Sequence, residues 1–127
     1  MTSSSTPSPQ DLVEAGLAAS TADACIVLVE VSASANLRWA NNTLTTNGLM
    51  HGGDVTAISF VVGAEGTATA SVSRSGTTID TVREVVAAAD AAARASEPAE
   101  DAAPLVEGEA AADWADPPAT TSIGVFD

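Results

Sequence analysis

The sequence predicts an α+β fold: a helix, four antiparallel strands and a second helix, with both helices on one face of the sheet. Three observations predict it. Two segments pair a capping signal with apolar residues at helical spacing. Between them lie four segments that are either apolar throughout or alternate in polarity. The links between those four segments are short, which suits an antiparallel meander rather than parallel crossovers.

The first helix is expected over residues 8–20. Ser8 can cap it, Pro9 suits its first turn, and Asp11 stands at the capping-box position. Leu12, Val13 and Leu17 supply its apolar stripe. Residues 23–31 read as a central strand because the run is nearly all apolar. Residues 35–46 read as a half-exposed strand, with Leu37, Trp39, Asn41 and Thr43 on one face and a bend near the two asparagines. Ser32-Ala33-Ser34 is short enough to be the hairpin link between these two strands. Asn47-Gly48 and Gly52-Gly53 bracket an expected loop that holds Met50 and His51.

The third strand is expected over 54–62, where Ile58, Phe60 and Val62 alternate, and Gly63-Ala64-Glu65-Gly66 signals a hairpin into the fourth, 67–73. There Ala68, Ala70 and Val72 share one face, and Thr67, Thr69, Ser71 and Ser73 the other. Thr77 to Asp80 reads as a second capping box, opening a helix over 78–95 whose stripe is Ile79, Val82, Val85, Val86, Ala89 and Ala93. Arg83, Asp90 and Arg94 are expected off that stripe. Pro98 ends the unit.

Four regions follow: a disordered N-terminus at 1–7, the α+β domain at 8–96, an acidic Ala/Pro-rich linker at 97–120, and the start of a following element at 121–127. Leu105, Val106 and Trp114 are the linker's candidate anchors. Alanine is roughly a fifth of the chain, so the core is expected to be thin. The formal net charge is -13, from 17 acids and 4 arginines, with no lysine. Such a chain repels a phosphate backbone and an anionic membrane surface, which argues against nucleic-acid and membrane partners. It suits a solvated acidic surface, or an interaction module for a basic partner, such as a DNA mimic. There is no apolar leader and no long apolar run, so a soluble cytoplasmic protein is expected.

The chemical inventory is small. Cys25 is the one cysteine and lies in the apolar run 25–29, where a buried, inert thiol is expected. His51 is the one histidine. A triad needs a base beside a nucleophile, and zinc needs three or four ligands at short spacing. Neither pattern is present, so no catalytic residue and no metal ligand is assigned to this chain. The richest polar stretch is 36–48. Arg38, Asn41 and Asn42 can exchange hydrogen bonds with an extended backbone, and Trp39 can cover an apolar patch. These four are the candidate contacts for a peptide or partner; the competing explanation is a polar edge strand that resists aggregation.

The order of these segments resembles the N-terminal domain of the TldD/PmbA (TldE) family of bacterial metallopeptidases. The resemblance rests on Ala22 to Glu30 as an apolar strand ending in acid, on Leu37-Arg38-Trp39-Ala40-Asn41-Asn42-Thr43-Leu44, on the Gly-x-x-Gly hairpin from Val61 to Ala68, and on the Ala-rich helix 78–95. It covers about residues 9–96 well and the tail loosely. Asn42 stands where the family usually has glycine, and the third strand lacks its common Gly/Arg pattern. These departures suit a divergent actinobacterial-type member, closer to the non-catalytic PmbA/TldE-like partner. The resemblance implies proteolysis of unfolded peptides by a pair of homologous subunits, a hetero- or homodimer. It implies zinc only on a His-Glu-x-x-x-His helix outside this sequence, and gives this part a role in the cleft and the subunit contact.

Overall fold

The computed structural model describes residues 6–101, 103, 105, 106 and 108–119, apart from the side chains of 45–47. The expected segment 121–127 lies outside the described residues, as does most of the N-terminal stretch 1–7. Helix α1 spans Pro9–Ala19, strand β1 Ala24–Ala40, β2 Thr43–Gly63, β3 Gly66–Ser75, and helix α2 Ile79–Ala95. The sheet is an antiparallel meander in the order β1-β2-β3. The α+β class and the helix–strands–helix order are as the sequence predicts.

Both helices start where side chains satisfy their free amides. Ser8 Oγ accepts from the Asp11 amide at 3.1 Å and the Asp11 carboxylate accepts from the Ser8 amide at 3.0 Å, a complete capping box. The cap of α2 is Thr78, not Thr77: its hydroxyl accepts from the Thr81 amide at 3.1 Å. Gly76, at φ +126°, turns the chain just before it.

The strands are longer than the sequence suggests. The segments expected as separate strands at 23–31 and 35–46 are not separate: the chain runs on as one strand, β1, as far as Ala40, and residues 43–46 belong to β2. Ser32-Ala33-Ser34 makes no turn and pairs instead with Gly52, His51 and Met50. The reversal falls at Asn41-Asn42, both in the left-handed region at φ 51° and 61°, between the paired residues Ala40 and Thr43. That is a two-residue type I′ hairpin, whose twist matches that of the strands it joins, and asparagine tolerates its dihedrals better than serine or alanine. The expected loop at 47–53 is therefore ladder. Its glycines have weak strand preference, but pairing with 31–37 overrides it. Gly53 is also needed sterically, since a Cβ there would collide with the Glu30 carbonyl and with Thr77.

The helices cover one face. Val27, Val55 and Ala57 meet Leu12 of α1 and Val82, Val85, Val86 and Ala89 of α2, all buried. Gly16 lets α1 approach closely: a Cβ there would lie 2.8 Å from Val82 Cγ1 and 3.1 Å from Val27 Cγ2. Described residues of the acidic segment hydrogen-bond to the domain. Ala99 donates its amide to the Thr67 carbonyl at 3.0 Å. Trp114 donates its indole N–H to Glu14 of α1 at 3.0 Å, and Gln10 donates to the Asp116 carbonyl at 2.9 Å.

Candidate functional site

β3 pairs with β2 only up to Asp54–Ser75. Past that point, residues 31–40 and 43–53 continue as a two-stranded ribbon, about 30 Å long at strand rise. Strand alternation assigns its faces. Val31, Ala33, Ala35, Leu37 and Trp39 share one side of β1, and their partners include His51, Leu49 and Leu44. Ser32, Ser34, Asn36 and Arg38 line the other side. The first set makes an apolar stripe continuous with the helix-covered face. Val31 and Trp39 at its two ends are both more than half exposed.

The four sequence-predicted contacts come together at the ribbon tip. Asn41 and Asn42 form the turn. Trp39, 65% exposed, is paired with Leu44 across the strands. The register shifts between Arg38 and Trp39, so a bulge sits beside the tip and re-aims its side chains. The Asn41 and Asn42 amides, expected as part of a strand face, serve first as turn residues. Among the described side chains the tip holds donors, acceptors and an indole, but neither a nucleophile–base pair nor a ligand set.

Cys25 and His51 stand apart. Cys25 is half-buried against the core, its thiol 4.0 Å from Ser59 Oγ. His51 is exposed on the ribbon and pairs with Ala33, which lies about 26 Å along β1 from Cys25 at strand rise. Among the described residues no three His, Cys, Asp or Glu side chains gather as a metal-binding group. No helix among the described residues is long and apolar enough to cross a membrane.

A polar cluster went unforeseen. Asp90 is 2% exposed, on the inner side of α2. It accepts from Ser59 Oγ at 2.5 Å, the Thr21 amide at 2.8 Å, Ser20 Oγ at 3.0 Å and Thr21 Oγ1 at 3.4 Å. Arg94 donates to the Thr21 carbonyl at 2.9 Å and to its hydroxyl at 2.7 Å. Burial pushes the Asp90 carboxyl up, but the Ser59, Thr21 and Ser20 hydrogen bonds and the Arg94 charge outweigh it, leaving the group below its ordinary value of 3.8. The cluster staples the link between α1 and β1 to α2. The signal was the spacing: 82, 86 and 90 fall four apart, which places Asp90 on the buried stripe.

No family model, no curated protein and no solved structure matches the chain.

Proposed function

We propose that this chain is an N-terminal, non-catalytic domain of a TldD/PmbA-like metallopeptidase, or of its non-catalytic partner subunit, and that its ribbon reaches into the cleft for unfolded peptides and the subunit contact. The observation that carries the proposal is the ribbon itself. A two-stranded hairpin is marginal in water unless something covers one of its faces. This one extends past the third strand with an apolar stripe from Val31 to Trp39. At its tip it presents an exposed Trp with Arg38 adjacent, the residue types that anchor protein contacts. The free edge of β1 offers backbone groups to an extended peptide. The sequence resemblance supplies the family, and its zinc would be held by residues outside this chain.

The test uses the full-length protein purified with its homologous subunit. Replacing Arg38 and Trp39 together with Ala should lower hydrolysis of unfolded casein, or the amount of paired assembly on size-exclusion chromatography, by about tenfold. Thermal unfolding should stay where it was, since both side chains lie on the ribbon, away from the core. A double variant that hydrolyses and pairs like the parent would reject the proposal.

A further inference from the structure

The second face of the sheet holds the bulkier side chains. Cross-strand pairing puts Ile26 opposite Ile58, Ala24 opposite Phe60 and Leu28 opposite Thr56. By alternation all of these point away from the face that Val27, Val55 and Ala57 present to the helices. So every Ile, Leu and Phe of the three-stranded region lies on the side without helices, and the covered side is built from Val, Ala, Cys and Ser, with Arg74 at its end opposite Val55. Leu28 is 55% exposed and Val62 65%. A sheet normally buries its bulkier face first, because buried area sets the gain.

The patch has a defined outline. It is two strands wide, about 10 Å with side chains, and about 13 Å long from Ala24 to Leu28. On the β3 side it stops at a row of hydroxyls, where Thr56 and Ser73 share a 2.6 Å hydrogen bond. At the ribbon end it stops at Glu30 and Asp54, directly opposite one another. Like charges at paired positions repel. No ion pair among the described residues involves either of them; Asp54 accepts from Ser75 Oγ at 3.1 Å, and the nearby Arg74 is committed to Glu84 at 3.5 Å.

We infer that this face is a docking surface for one amphipathic helix of a partner protein, with Lys or Arg one turn beyond its apolar stripe, seated between Glu30 and Asp54. The width matches one helix, whose diameter with side chains is about 10 Å, and the length two to three turns. The charge selects the occupant. A cation between the two carboxylates relieves their repulsion. A second copy of this chain, at net charge -13, would bring another Glu30–Asp54 pair to the contact instead. The surface is distinct from the ribbon tip, and its occupancy does not depend on peptidase activity.

The experiment measures binding of the full chain to a fluorescein-labelled Leu/Lys amphipathic helix of about five turns, with a Leu/Glu helix as control. Three double variants separate the terms. Leu28→Thr with Val62→Thr removes exposed apolar surface and keeps strand preference. Glu30→Gln with Asp54→Asn removes the paired carboxylates. Asp101→Asn with Glu109→Gln removes the same charge from the acidic segment. The first two should each raise Kd about tenfold, which is 1.4 kcal/mol, with circular dichroism unchanged, and the third should leave it unmoved. The Leu/Glu helix should not bind. Equal losses from the second and third variants, or binding indifferent to the first, would overturn the inference. So would a dimer of the full chain, seen by light scattering and abolished by Leu28→Thr with Val62→Thr, which assigns the face to a second copy.

Discussion

Removing the Asp90 carboxylate should destabilise the domain more than any exposed substitution. Asp90→Ala leaves Ser59 Oγ, itself fully buried, without its short bond and strips the Thr21 amide of its acceptor. Each buried polar group left unpaired costs about 1–3 kcal/mol, so the expected loss is about 3 kcal/mol. For a domain of this size that lowers Tm by roughly 10–20 °C. Asp90→Asn keeps the shape and one acceptor oxygen, so its cost should be smaller, about 1–2 kcal/mol.

The pH dependence separates the charge from the shape. The folded-state pKa of Asp90 is depressed. Its charge therefore contributes fully above the unfolded carboxylate value of 3.8, and the contribution is lost as pH falls through the lower folded value. Urea unfolding of the parent and of Asp90→Asn between neutral pH and strongly acidic pH checks both points. The stability gap between the two should be widest near neutrality and narrow below the ordinary Asp value. A gap under about 0.5 kcal/mol at neutral pH, the range of ordinary surface changes, would refute the assignment of Asp90 as a staple. A gap that stays constant through the acid range would refute its charged state.

Gly16→Ala should cost about 1–3 kcal/mol, since the added methyl meets Val82 and Val27 at contact distances well inside normal packing; chemical denaturation reads it. At the ribbon tip, Asn42→Ala should cost about 1 kcal/mol locally because its φ is +61°, while Asn42→Gly should be neutral or better. Amide exchange of the ribbon 31–53, faster in the first variant and unchanged in the second, checks this.

The helices were legible because their signals are local. Ser8, Pro9 and Asp11 carry the start of α1 within four residues, and Pro98 bounds α2. The cap of α2 was misplaced by one because Thr77 and Thr78 carry the same hydroxyl; the turn at Gly76 and the packing of Thr77 on Gly53 decide between them. The turn between β1 and β2 was less legible. Ser32-Ala33-Ser34 and Asn41-Asn42 are both polar and short, and the choice depends on which residues bear positive φ and which find ladder partners 20 residues away. Asp90 is expected off the apolar stripe, although its spacing from Val82 and Val86 places it inside. Its partners Ser20, Thr21 and Ser59 come from three other parts of the chain, and no local pattern joins them.

The alternation of Ile58, Phe60 and Val62 shows that the strand has a bulky side, but not which side the helices take. Packing distance decides that. α1 meets the sheet through Gly16 and α2 through Val82, Val86 and Ala89, a close approach that only small opposing residues permit. Val27 and Ala57 fit that gap, whereas Ile26 and Phe60 would hold the helices off. The helices therefore take the small-residue face, and the core is as thin as the alanine content implies. The same choice leaves Ile26, Leu28, Ile58 and Phe60 to meet something larger. The free domain buries Ile26, Ile58 and Phe60 only in part and leaves Leu28 exposed, whereas a domain seated against a neighbour would bury the remainder at about 25 cal/mol for each Å² removed from water. Stability and the inferred docking are thus coupled: the residues that would thicken the core are those on the face inferred to meet a partner.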